Sequence, residues 1–212
     1  MNFYLEQTKY AASNLIDLIM HDLRKLEEVK SSLEGFQALL RTLSQDFSTA
    51  DNSEDFDMYQ IQHKYITLRR AEENTISERI KLREELEELK QSATAKSEAI
   101  SSLCGALLQI SKQGISIVHR SLDICPSGRH IGQETLKNIV WQGRNQSMHY
   151  EEGSYNSNVL KCFRNLELSF GEDFSLTFHS QENLAQKVVI QLLEWTDYSQ
   201  YEKDMTDLLG NV

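Results

Sequence analysis

Residues 75–97 read TISERIKLREELEELKQSATAKS. The run holds no glycine and no proline, the residues that most often punctuate turns. Leu82, Leu86 and Leu89 recur at steps of 4 and 3, and Tyr65, Leu68 and Thr75 extend the stripe backwards. This spacing sets one apolar ridge along a helix. Between the leucines, Glu neighbours Lys or Arg, as on a solvated helix face stabilised by oppositely charged pairs. A long helix is therefore expected from about Met58 to Ser97, with no chemistry on its charged face.

The preceding residues repeat the pattern. Ile19, Leu23, Leu26, Leu33, Phe36, Leu40, Leu43 and Phe47 mark a first long helix over 3–47, with a bend expected near Gly35. Ser48 to Asp57 is acidic and aperiodic, and reads as a loop. The two helices predict an antiparallel, coiled-coil-like hairpin over residues 1–99. Residues 100–212 read as a second, compact domain. Helices are expected over about 100–122 (weakened near Gly114), from Gln133 toward Glu152, and over 158–169. Cys125-Pro126-Ser127-Gly128 breaks the chain, and Gly153–Asn156 is a turn. Phe174 to Phe178 alternates apolar and polar residues and predicts a brief extended segment. Ser180 opens a final helix with Leu184, Val188, Leu192, Trp195 and Tyr198 on its buried side. The expected fold is all-α: a four-helix bundle with a long N-terminal helical hairpin.

With 212 residues and one proline, few and long elements are expected. The net charge of −10 argues against a protein that coats duplex nucleic acid. The charge is uneven: residues 1–99 carry 13 basic and 19 acidic groups, residues 100–149 carry 5 and 2, and residues 150–212 carry 4 and 11. Only the middle segment is net positive, which suits a local anion site on an acidic body. The three cysteines, Cys104, Cys125 and Cys162, fit no zinc spacing and predict reduced thiols in a cytoplasmic protein. No apolar stretch approaches the ~20 residues of a membrane span, and residues 1–10 lack the basic start of a signal peptide.

The basic segment contains NIVWQGRNQSMHYEEG, residues 138–153. On a helix, Asn138, Gln142, Asn145, His149 and Glu152 share one face at steps of 4, 3, 4 and 3. Leu136, Val140, Gly143 and Tyr150 lie on another face. The polar stripe holds amides, an imidazole and a carboxylate but no lysine, unlike the Glu- and Lys-rich faces elsewhere. Amides and imidazole make directional hydrogen bonds, neutral or switchable. Arg144 and His149 lie about 140° apart on an ideal helix and cannot meet across it. Either irregularity near Gly143 or a dimer would bring them to one substrate.

Arg144-Asn145-Gln146-Ser147-Met148-His149 resembles the R-x4-6-H motif of the HEPN superfamily, in its RNxxxH form. This spacer with Asn, Asp or His after the arginine is expected only about 0.04 times by chance in such a chain. The resemblance covers roughly residues 100–212. It implies a helical bundle that dimerises, and a metal-independent endoribonuclease with Arg144, Asn145 and His149 as catalytic positions. It also implies RNA as substrate, a homodimer as the working form, and no cofactor or metal. Many members act as toxins or in antiviral defence, so a cognate antitoxin or regulatory protein is a further expected partner.

Such cleavage needs a proton acceptor for the 2′-OH, a cation for the phosphorane and an acid for the leaving oxygen. An imidazole exchanges protons near neutrality, and a guanidinium fork matches phosphate oxygens. From the residues alone, Gln142 and Glu152 join as substrate-binding candidates, Glu152 through pairing with His149. Arg129 and His130, in the loop after Gly128, offer a second phosphate contact. Cys125 and His130 would supply only two metal ligands. No phosphate-binding glycine loop, nucleophile elbow or H-E-x-x-H is present. The alternative to a nuclease is a catalytically silent helical dimerisation or partner-binding module, which the long hairpin would serve.

Overall fold

The computed structural model describes residues 2–49 and 58–210, with side-chain surroundings described outside 39–76, 78 and 79. It is mostly helical. The helices α1 (Phe3–Thr49) and α2 (Met58–His119) run 47 and 62 residues. A short hairpin pairs β1 (His130–Ile131) with β2 (Glu134–Thr135). There follow α3 (Leu136–His149), α4 (Ser157–Phe170), a π-helical segment (Lys187–Leu192) and α5 (Tyr198–Leu209). Of the expected loop over 48–57, Ser48 and Thr49 belong to α1 and 50–57 lie outside what is described, as do the side chains of Leu40, Leu43, Phe47, Tyr65, Leu68 and Thr75.

The chain divides into two compact units, Lys25–Lys96 and Met1–Arg24 with Ser97–Val212. In the first, Leu26 is buried, and Leu23, just outside it, and Leu33, Phe36, Leu82, Leu86 and Leu89 are half-buried, as a ridge between two helices requires. Phe36 of α1 and Leu89 of α2 line one pocket with Glu85, Glu88 and Ser92, so the two arms face each other there. The boundary differs from the expected division at residue 99. Tyr4, Leu5, Ala12, Ile16 and Ile19 are core residues, which draws the start of α1 into the compact unit. Tyr4 also donates its hydroxyl to the Ile110 carbonyl at 2.7 Å.

The expected separate helices over 58–97 and 100–122 are one continuous element. The change of charge near residue 97 is a change of environment, and Glu98-Ala99-Ile100 contains no helix breaker. Gly114 does not weaken α2. A Cβ there would meet the Tyr4 ring at 2.7 Å, so the glycine is the notch that admits Tyr4. α2 ends at His119, and Arg120 takes the left-handed conformation at φ 62° usually left to glycine.

The expected start of α3 at Gln133 also moves. Gly132, at φ 59°, turns the β-hairpin, and a side chain there would collide with Ser169. The helix begins at Leu136, whose N–H donates to the Arg129 carbonyl, while Lys137 N–H donates to Ser127. The loop before β1 thus satisfies first-turn donors that a helix cannot satisfy itself. α4 is capped by Asn156, whose Oδ1 accepts from Asn158 and Val159 N–H, and it buries Val159, Cys162, Phe163 and Leu166.

The extended segment expected over 174–178 is a 3-10 turn, Glu172–Phe174, followed by turns. Phe174 is buried, edge-on to Phe170 at 6.1 Å. Five alternating residues hold a strand only beside a partner, and among the described residues β1 and β2 pair with each other alone. The final helix expected from Ser180 is interrupted. Leu184, Val188, Leu192 and Trp195 are buried as the stripe predicts, but Tyr198 is half-buried and starts a new helix. Glu194 at φ 56° turns the chain, and Asp197 caps α5 by accepting from Gln200 N–H. Among the described residues, no helix is long and apolar enough to cross a membrane.

Candidate active site

The polar stripe on α3 is a hydrogen-bonded ladder. Asn138 donates to Glu134 Oε2 at 2.6 Å, Gln142 donates to Asn138 Oδ1 at 3.3 Å, and Asn145 donates to Gln142 Oε1 at 3.2 Å. Arg144 Nη1 donates to Asn145 Oδ1 at 3.2 Å, and its Nε donates to Gln109 Oε1 of α2 at 2.5 Å. At the far end, Glu134 Oε1 accepts from Asn165 of α4 at 2.6 Å. Every amide turns its NH2 toward the carboxylate and its carbonyl toward the guanidinium. The ladder therefore joins an anion to a cation through aligned dipoles, and satisfies the buried polar groups it contains.

Glu134 and Gln142 are buried, and Arg144 and Asn145 are half-buried. The expectation that Gln142 contacts substrate is corrected here: it is 3% exposed and both ends of its amide are used within the ladder. Arg144 keeps Nη2 without a hydrogen-bond partner among the described residues, so half of its fork remains for a ligand.

His149 closes α3. Its Nδ1 lies 2.7 Å from Glu152 Oε1, both side chains more than half exposed, and Nε2 has no partner among the described residues. A carboxylate on one ring nitrogen fixes the proton there and leaves the other nitrogen free to accept one. The expected pairing of Glu152 with His149 is thus present. Neighbouring Tyr150 has its phenol pushed above the ordinary value, by burial first and then by the hydrogen bond and charge of Glu151 and the charge of Glu98. These carboxylates make this end of α3 anionic, and the nearest guanidinium on the helix is that of Arg144.

Arg144 and His149 have separate partners within the chain, and no hydrogen bond joins them. The helix is unbroken at Gly143, whose missing side chain lets Val188 approach. Its backbone departs from helical values at His149, with φ −127° and ψ 12°. The expected irregularity thus lies at the histidine and not at the glycine.

Arg129 and His130 are not brought to this face. Arg129 donates Nε and Nη2 to Asp204, at 3.0 and 3.1 Å, and Nη2 to the Leu193 carbonyl at 2.7 Å. Nε and Nη2 are thus committed to a buried carboxylate and a carbonyl, away from the α3 face. His130 is exposed in β1, and no hydrogen bond links it to the α3 stripe. Among the described residues, no three metal-ligating side chains gather.

The spacer of the motif contains a structural residue. Gln146 is fully buried; it donates to the Glu182 carbonyl at 2.7 Å and to Tyr155 Oη at 3.2 Å, and accepts from Leu184 N–H at 3.0 Å. It ties α3 to two loops. Gln146→Ala strands a buried N–H and a carbonyl, and should lower stability by about 1–3 kcal/mol in urea unfolding. A midpoint equal to that of the parent would show that these bonds contribute nothing.

Residues that local spacing did not reveal are Gln109 and Asn165, which come from other helices. Glu134 carried a signal, four residues before Asn138, as the first rung of the same stripe. No family model, curated protein or solved structure matches this chain.

Proposed function

We propose that this chain is a metal-independent endoribonuclease of the HEPN type, acting as a dimer with a composite Arg144, Asn145 and His149 site. The observation that carries the reading is the imidazole of His149, exposed, oriented at Nδ1 by Glu152 and open at Nε2. In this reading Nε2 takes the 2′-OH proton and the 2′-oxygen attacks phosphorus. Arg144 Nη2 stabilises the charge gathering on the phosphorane oxygens. The same imidazole, now protonated, gives that proton to the departing 5′-oxygen, and a 2′,3′-cyclic phosphate remains. Asn145 holds Arg144 from the ladder side. An acidic body around one cationic spot suits a restrained enzyme that grips RNA locally, as a toxin or defence effector held by a cognate antitoxin or regulator would.

The test is cleavage of mixed RNA in excess EDTA by the purified full chain. Fragments ending in 2′,3′-cyclic phosphate are expected. Absence of cleavage, or equal cleavage by a His149→Ala preparation, removes the nuclease reading.

A second reading has its own observation. The ladder explains most of the α3 stripe as internal structure, and Arg144 and His149 point to different partners within one chain. A silent module that binds a partner or a second copy through α3 needs nothing more. Intact dimers without RNA cleavage would select it.

A further inference from the structure

One turn before Arg144 on α3 stands Trp141, and one turn after Gln109 on α2 stands Lys112. The Lys112 ammonium lies 4.5 Å from the centroid of the Trp141 ring. Gln109 meanwhile holds Arg144 Nε. These four side chains occupy adjoining turns of two packed helices, and all four are half-buried. Trp141 is thus no core residue. The other tryptophan, Trp195, is fully buried and donates to Asp204 at 2.9 Å.

We infer that Trp141, Lys112 and Arg144 form a subsite for an unpaired nucleotide of single-stranded RNA, its base on the indole and its flanking phosphates on the two cations. It takes its substrate class from the nuclease reading above and narrows it. An ammonium over an indole is a weak, reversible contact, and a stacked base satisfies the same π-face. The displaced ammonium sits on a flexible stem and can turn to a phosphate within reach. Arg144 is held at Nε by Gln109 and so presents its outer nitrogen to the next phosphate. A duplex offers its phosphates but keeps its bases stacked on one another, so the indole discriminates against it. No other aromatic–cation pair among the described residues adjoins the motif, and this one lies in the only net-basic stretch of the chain.

The experiment uses the full chain carrying His149→Ala, which removes cleavage from the measurement. A fluorescein-labelled ten-nucleotide RNA, single-stranded or annealed to its complement, is titrated and followed by anisotropy and by indole fluorescence. The single strand should bind and quench the indole, and the duplex should leave it bright. Trp141→Leu in this background should weaken single-strand binding about tenfold, and Trp141→Phe should recover most of that loss. Lys112→Met should weaken binding and lower its salt slope by about one. Equal single-strand affinity with and without Trp141→Leu, equal quenching by duplex, or no binding of either RNA overturns the subsite. Binding is read apart from cleavage. RNA cleavage by the parent with unchanged binding by Trp141→Leu sinks the subsite alone; binding that depends on Trp141 without cleavage sinks the nuclease alone.

Discussion

Mixing the Arg144→Ala and His149→Ala variants is expected to restore RNA cleavage that each has lost alone. If the proposed nuclease reading holds, loss of the His149 imidazole should cost about 10²–10⁴ in rate, and loss of the Arg144 guanidinium about 10²–10³. In a two-fold dimer whose sites each take Arg144 from one copy and His149 from the other, a mixed dimer has one intact site and one doubly defective site. Random exchange makes half of the dimers mixed, so about a quarter of the parental activity returns. The physical ground is the separation found within one chain. Arg144 is held by Gln109 and Asn145, whereas His149 turns to Glu152 beyond the end of α3. If each chain used its own arginine and histidine, every mixed dimer would stay defective, and a mixture as inactive as its components would rule out the composite site. The exchange must be run with variants that dimerise as the parent does, checked by light scattering.

Asp204→Ala should destabilise the protein by about 3 kcal/mol in urea or thermal unfolding. The Asp204 carboxylate is 0% exposed and accepts from the Arg129 guanidinium and from Trp195 Nε1. Its removal leaves the fully buried indole N–H without an acceptor and the guanidinium without its carboxylate. The usual cost of breaking a buried pair is about 3–5 kcal/mol. The Arg129 side chain is 33% exposed, so solvent recovers part of its charge, which places the effect at the lower end. The Leu193 carbonyl also keeps its bond to Arg129 Nη2. Replacing both charges together, Arg129→Met with Asp204→Leu, should recover part of the loss, because neither ion then remains unpaired. A loss below about 1 kcal/mol for Asp204→Ala would mean that the pair is solvated and does not brace the turn at Glu194.

The buried pair also shows where sequence reading stops. Arg129 beside His130, after a proline and a glycine, has the composition of a solvated phosphate-binding loop. Its partner lies 75 residues away in α5, and nothing in the local pattern announces it. The α3 stripe divides in the same way. Steps of 4, 3 and 4 place Asn138, Gln142, Asn145 and His149 together, and the hydrogen bonds from Asn138 to Asn145 agree with that. The burial of Gln142, the bond from Asn165 to Glu134, and the grip of Gln109 on Arg144 depend on α2 and α4 packing over the stripe. Gln146 makes the point within the motif itself: a polar residue in a polar spacer is a fully buried tie between loops.

By itself, the order of residues determined that this chain is helical and that two long helices pair through apolar ridges. It also determined that one helix carries an amide-rich face ending in His149 and Glu152, with Arg144 to one side of it. These follow from local steric preference and from the 3.6-residue period, which act within a few turns of chain. Only tertiary packing decided that residues 3–24 join the compact unit. It also decided that the last helix breaks after Leu192 and that the polar face is a ladder as far as Asn145 and exposed at His149. Each of those outcomes turns on which distant surface removes a given side chain from water. That is a property of the assembled core, which no single window of sequence contains.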